Sequence, residues 1–184
     1  MKEKSTPSKR PTADRPLLPE HVRGLPRLPL AAVLEDIRSA FNVGSVFRTS
    51  DAVRVGRLVL AGYTARPPNA KLAKTALGSQ DAVPWMGAAD GPSAVRALRG
   101  DGYTVYAVEL TCRSIPLWEI DLPRPLALVF GNETAGVSEE TLALCDGDLE
   151  LPMAGIKNSI NVATAFGIAV FEIWRRWGGE AAFV

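Results

Sequence analysis

The sequence predicts an α/β domain, a mostly parallel sheet with helices on both faces. Three observations carry this. Apolar runs of strand length recur along the chain: LAAVL, RLVLA, TVYAVEL and LALVF. Segments with helical periodicity or capping residues separate them. The runs are largely apolar rather than alternating, as expected of strands covered on both faces.

The elements follow in order. Residues 1–27 hold five prolines and little apolar periodicity, and read as a basic, flexible arm ahead of a domain over 28–184. Leu30–Leu34 is the first buried strand. Val43–Val53 is a helix with Val43, Val46, Phe47 and Ser50 near one face, and Asn42 is placed to cap it. Arg57–Ala61 is the second strand. Residues 62–92 form a long connection with a helical turn at Lys71–Leu77. A segment of that length inside a domain is more often functional than idle, and Arg66, Lys71 and Lys74 suit phosphate contacts. Ser93–Arg99 is a helix capped by Ser93 and closed by Gly100. Thr104–Leu110 and Leu126–Phe130 are the third and fourth strands. Ser138 caps a helix through Leu144, with Glu139 and Glu140 favourable in its first turn. Asp148–Leu151 is a short fifth strand, and helix 160–176 follows, with Arg175 and Arg176 at its negative end.

Composition narrows the function. A chain of 184 residues, 47% hydrophobic and 22% charged, suits one domain with a substantial core. No apolar run reaches the ~20 residues of a membrane span, because Asn161, Thr164 and Glu172 interrupt Ile160–Trp174. The N-terminus has no apolar signal region, so a cytoplasmic location is expected. Cys112 and Cys145, the only cysteines, read as buried thiols rather than a disulfide. His21, the only histidine, lies in the arm. A zinc site and a Ser-His-Asp triad are therefore not expected, and no metal is assigned. Net charge is +1, unevenly spread: residues 1–27 carry +4 and residues 28–184 carry −3. Such an arm is an RNA-binding extension or a solvated leader.

Three loops carry polar residues and glycine beside apolar strands or helices: Asn42-Val43-Gly44 with Arg48, Gly131-Asn132-Glu133, and the approach to the last helix at Ser159 and Asn161. Ligands of parallel sheets bind beyond the carboxyl ends of the strands, so the three loops point to one site. Gly131–Gly136 lacks the Lys-Ser/Thr pair of a phosphate-binding loop, and no GxGxxG follows the first strand. Gly131 either lets the backbone approach a flat ligand or serves a turn. Arg48 is suited to hold a phosphate at two points.

IRSAFNVGSVFRTSDA, LALVFGNETAGVS and LELPMAGIKNSINVATAFGIAVFE resemble, in order and spacing, the three motifs of the SpoU–TrmH RNA 2′-O-methyltransferases of the SPOUT superfamily. The resemblance covers about residues 30–176. It implies an S-adenosylmethionine-dependent enzyme with a deep C-terminal trefoil knot. It also implies a homodimer joined through the first and last helices, with Phe47, Phe166 and Val170 as candidates for the seam. Loops after Val108, Phe130 and Glu150 would hold the donor largely through backbone, which points by position to Glu109, Gly131, Leu151, Met153, Ser159 and Ile160. Asn42, Arg48, Glu133, Ser159 and Asn161 match the family's polar motif positions and form the candidate catalytic set. The implied substrate is a ribose 2′-hydroxyl in tRNA or rRNA. A base methyltransferase of the same fold and a catalytically silent RNA-binding dimer are the alternatives.

Overall fold

The computed structural model describes residues 25–179. His21, the arm up to Gly24 and residues 180–184 lie outside them. Seven strands form one parallel sheet: β1 Leu28–Glu35, β2 Val55–Ala61, β3 Trp85–Ala88, β4 Thr104–Val108, β5 Ile115–Pro116, β6 Leu126–Phe130 and β7 Gly147–Glu150. Their order is β3-β2-β1-β6-β4-β7-β5. The helices are α1 Ala40–Ala52, α2 Ala70–Ala76, α3 Ser79–Ala82, α4 Gly91–Gly100, α5 Glu139–Leu142 and α6 Val162–Arg176.

β1 explains the architecture. Ala31–Leu34 pairs with Arg57–Leu60 of β2 on one side and with Ala127–Phe130 of β6 on the other. Side chains alternate between the two faces. Leu30, Ala32 and Leu34 join Phe47, Leu72, Phe130 and Phe166 under α1, α2 and α6. Ala31 and Val33 join Val95, Leu98 and Val129 under α4. Both faces are covered, so the strand is apolar from Leu28 to Leu34. Small residues set the helix spacing. At Gly44 of α1, a Cβ would collide with the Thr75 hydroxyl and the Leu72 carbonyl of α2.

Several boundaries differ from the sequence reading for identifiable reasons. α1 starts at Ala40 with Ser39 as its cap, accepting from the Asn42 N–H. Asn42 is inside the helix, and its amide is directed elsewhere. Asp90, not Ser93, caps α4, and the two form a reciprocal capping box. α6 starts at Val162, capped by Asn161. The 62–92 connection contains two helices and the edge strand β3. There Arg66 donates to the Gly62 and Ala88 carbonyls at 3.3 and 2.7 Å, so it braces the segment, while Lys71 and Lys74 stay exposed. Cys112 is exposed in the turn after β4, contrary to expectation; only Cys145 is buried, and both are free thiols. Burial, then Asp148, pushes the Cys145 thiol up to about 12.

The seam candidates are corrected as well. Phe47, Phe166 and Val170 are fully buried in this chain's own core. The exposed apolar side chains on α1 and α6 are Phe41, Ile168 and Phe171. No helix among the described residues is long and apolar enough to cross a membrane.

Candidate active site at the carboxyl ends of the strands

A cavity of about 1050 Å³ opens beyond the carboxyl ends of β4, β6 and β7. Glu109, Gly131, Leu151, Met153, Ser159 and Ile160 all line it, with Val108 and Phe130 on its apolar side. Residues 152–160 are exposed and make no hydrogen bond to other described residues. Their backbone N–H and C=O groups and the Ser159 hydroxyl are therefore free for a ligand. Backbone polar groups are obligatory hydrogen-bonding groups, so a loop of unpaired ones beside an apolar wall suits a flat, polar-edged molecule.

The loop after β6 forms the opposite wall. Asn132 and Gly136 exchange backbone hydrogen bonds at 3.0 and 2.9 Å. The Asn132 side-chain oxygen accepts from the Thr134 and Ala135 N–H groups, both at 2.9 Å. A Cβ on Gly131 would collide with the backbone of Gly136 and Val137. Gly131 is thus required by the chain's own fold-back. Glu109 braces this wall by accepting from the Val137 N–H at 3.0 Å.

Glu133 joins the wall to the start of α1. Its carboxylate accepts from the Arg38 N–H at 2.8 Å, the Ser39 N–H at 3.1 Å and the Asn42 amide at 2.9 Å. A negative charge at a helix N-terminus is favourable. Partial burial raises its pKa, but hydrogen bonds from Arg38, Asn42 and Ser39 outweigh that and hold it below the usual glutamate value. Asn42 also accepts from the Asn161 amide at 3.2 Å. Asn161 in turn accepts from the Ala163 N–H at 2.9 Å as the cap of α6. A single polar chain, Glu133–Asn42–Asn161, therefore locks two helix N-termini to the cavity wall.

Four of the five candidate catalytic residues are thus brought together. Glu133, Ser159 and Asn161 line the cavity, and Asn42 bridges two of them. Arg48 is not with them. It lies six residues further along α1, about 9 Å of helix rise, exposed, and its side chain makes no hydrogen bond or ion pair to any described residue. Asn132 was missed by sequence reasoning, because an asparagine beside glycine reads as an ordinary turn residue. Among the described residues, no group of three or more His, Cys, Asp or Glu side chains could hold a metal ion.

The Glu133 clamp predicts a pH dependence. A carboxylate whose folded pKa is depressed contributes stability above its unfolded pKa of about 4.3, and loses it as pH falls through the folded value. The wild-type melting temperature should fall more steeply than that of Glu133→Gln below about pH 5. The difference should be modest because the group is largely solvated. Parallel curves down to pH 2.5 would show that the clamp adds nothing to stability.

Comparison with known proteins agrees with this geometry. The SpoU rRNA Methylase family matches residues 29–171. A tRNA (guanosine(18)-2′-O)-methyltransferase of Thermus thermophilus is 36% identical over 147 residues, 80% of this chain and 75% of that protein. The AdoMet-bound rRNA methyltransferase of Sinorhizobium meliloti superposes with a TM-score of 0.75 at 31% identity, over 80% of this chain and 56% of that one. The A. aeolicus TrmH/SpoU tRNA modifying enzyme superposes with a TM-score of 0.79 at 25% identity, over 89% and 83%. The chain therefore spans little more than half the length of the Sinorhizobium chain. By its matched length and by these likenesses, the chain belongs to the SpoU rRNA methylase family.

Proposed function

We propose that the chain transfers a methyl group from S-adenosylmethionine to a ribose 2′-hydroxyl of tRNA or rRNA. The carrying observation is the cavity wall itself: open backbone groups of 152–160 face the braced Gly131–Gly136 loop across an apolar floor. These residues fit the donor. Val108, Phe130, Leu151 and Ile160 suit its adenine ring, and the backbone near Gly131, Met153 and Ser159 suits its polar edges. When bound, the donor supplies a methyl already activated by its sulfonium.

The protein's own task is alignment. The reacting oxygen must stand in line with the methyl–sulfur bond, and orientation of this kind is worth roughly 7–11 kcal/mol. Glu133, Asn42 and Asn161 form a rigid polar edge beside the cavity, and the Ser159 hydroxyl is free to hold the ribose. Arg48 is a poor proton acceptor, because a guanidinium has a pKa above ~12. Its exposed guanidinium instead holds the RNA phosphate next to the reacting ribose and so biases the hydroxyl toward the methyl.

The proposed protein is a cytoplasmic homodimer joined through the exposed faces of α1 and α6, and its C-terminal segment is threaded as a trefoil knot. Phe41, Ile168 and Phe171 leave apolar surface exposed on these faces.

The test is transfer of labelled methyl from S-adenosylmethionine to total tRNA and total rRNA from cells lacking the gene, followed by digestion to nucleosides. A 2′-O-methylated nucleoside is the expected product. A base-methylated nucleoside, or no transfer to either RNA, would overturn the proposal.

A further inference from the structure

A second cavity, about 390 Å³, lies on the other side of the Asn132–Gly136 loop. Asn132, Thr134, Ala135 and Gly136 line both cavities, so one thin loop separates them. The remaining walls of the second are Asp36, Arg38 and Tyr63, with Glu35 and Ser138 behind. The established fold needs none of these as open surface. Glu35 is already engaged, accepting from the Ser138 hydroxyl at 2.8 Å, the Thr141 hydroxyl at 2.7 Å and the Ser138 N–H at 3.2 Å.

Tyr63 is the unusual member. The residue is 62% exposed, yet it is fixed at both ends. Its N–H donates to the Asp36 carboxylate at 3.0 Å, and its hydroxyl accepts from the Asn132 amide at 2.6 Å. The next residue is anchored too: the Thr64 hydroxyl donates to the Leu34 carbonyl at 2.8 Å and accepts from the Ile37 N–H at 2.9 Å. A large aromatic ring left in water but held rigid is a stacking platform that loses little freedom on binding. Arg38 beside it offers an exposed guanidinium suited to phosphate.

We propose that this cavity takes a nucleobase of the RNA segment that presents its ribose to the donor, with Tyr63 as the stacking surface. The inference rests on the methyltransferase reading and adds a base subsite to it. Stacked bases on aromatic side chains are a recurrent way of holding unpaired RNA. Asn132 is the positioning residue: the amide that holds the Tyr63 hydroxyl belongs to the residue that shapes the donor-side loop.

The experiment measures kcat and KM with total tRNA and total rRNA as methyl acceptors, donor affinity by calorimetry, and mass by light scattering. Tyr63→Ala and Tyr63→Leu should raise KM for RNA about tenfold, as expected for loss of one stacked base, with donor affinity and mass unchanged. Tyr63→Phe and Tyr63→Trp should fall between Tyr63→Ala and wild type, because each keeps a π-face but loses the hydroxyl that Asn132 holds. Unchanged KM in Tyr63→Ala, or rescue by leucine as complete as by tryptophan, would overturn the stacking role. A changed mass in Tyr63→Ala would overturn it by showing the ring to be covered by a second copy. Wild-type protein that methylates neither RNA would instead overturn the functional reading together with the subsite built on it.

Discussion

Arg48→Ala is expected to lower methyl transfer by at least about 100-fold, the scale on which a misplaced reactant is penalised, while donor affinity stays within about threefold. The reason is positional. Arg48 stands apart from the donor cavity and its side chain makes no hydrogen bond or ion pair with a described residue, so its removal leaves the donor loops unchanged. For the same reason the melting temperature should not move: exposed substitutions of this kind fall within about 0.5 kcal/mol. The variant therefore separates alignment of RNA from folding and from donor binding. Labelled-methyl transfer, calorimetry and a thermal melt check the three parts. Normal turnover would remove Arg48 from the reaction.

The second large effect contrasts two residues of α6. Phe166 is fully buried and meets Phe130 edge-on, with ring centroids 5.3 Å apart. Removing such a ring costs about 3–5 kcal/mol, and Glu adds the cost of an unpaired buried charge. Against a total stability of about 5–15 kcal/mol, Phe166→Glu should give no folded protein. Phe171 is five residues on and 47% exposed, packed edge-on against Trp174. Phe171→Glu should keep the fold by circular dichroism but appear as monomer in light scattering, with little activity. A wild-type protein that is monomeric and active at micromolar concentration would sink the proposed dimer.

The sequence offers Phe166 only as a candidate for the seam. Periodicity marks an apolar helix face but cannot say whether the surface that covers it belongs to the same chain. The interior strands were legible because burial on both faces leaves a continuous apolar run, as in Leu30–Leu34 and Leu126–Phe130. β3 was not legible: Trp85–Ala88 is four residues long, sits at the sheet edge with Trp85 and Met86 exposed, and follows a proline. β5 is two residues long and has no period to read. The site was legible as three loops because each carries polar residues beside an apolar element. What joins them was not, because Glu133 meets α1 through groups more than ninety positions away.

That separation bears on how the site comes into being. The Asn42–Glu133 and Asn42–Asn161 hydrogen bonds close intervals of 91 and 119 residues. Contacts of such high contact order are made late, after the loop-closure entropy has been met by other packing. At a synthesis rate of about 5–20 residues per second, the ribosome finishes Asn161 roughly 6–24 seconds after Asn42. Until Glu133 is made, 91 residues after Asn42, nothing holds the Asn42 amide, and until Asn161 is made its oxygen lacks the second helix N-terminus. A partly synthesised or prematurely terminated chain therefore lacks the polar edge that aligns a ribose. Completion of the last helix acts as a checkpoint, after which the protein first becomes competent to modify RNA.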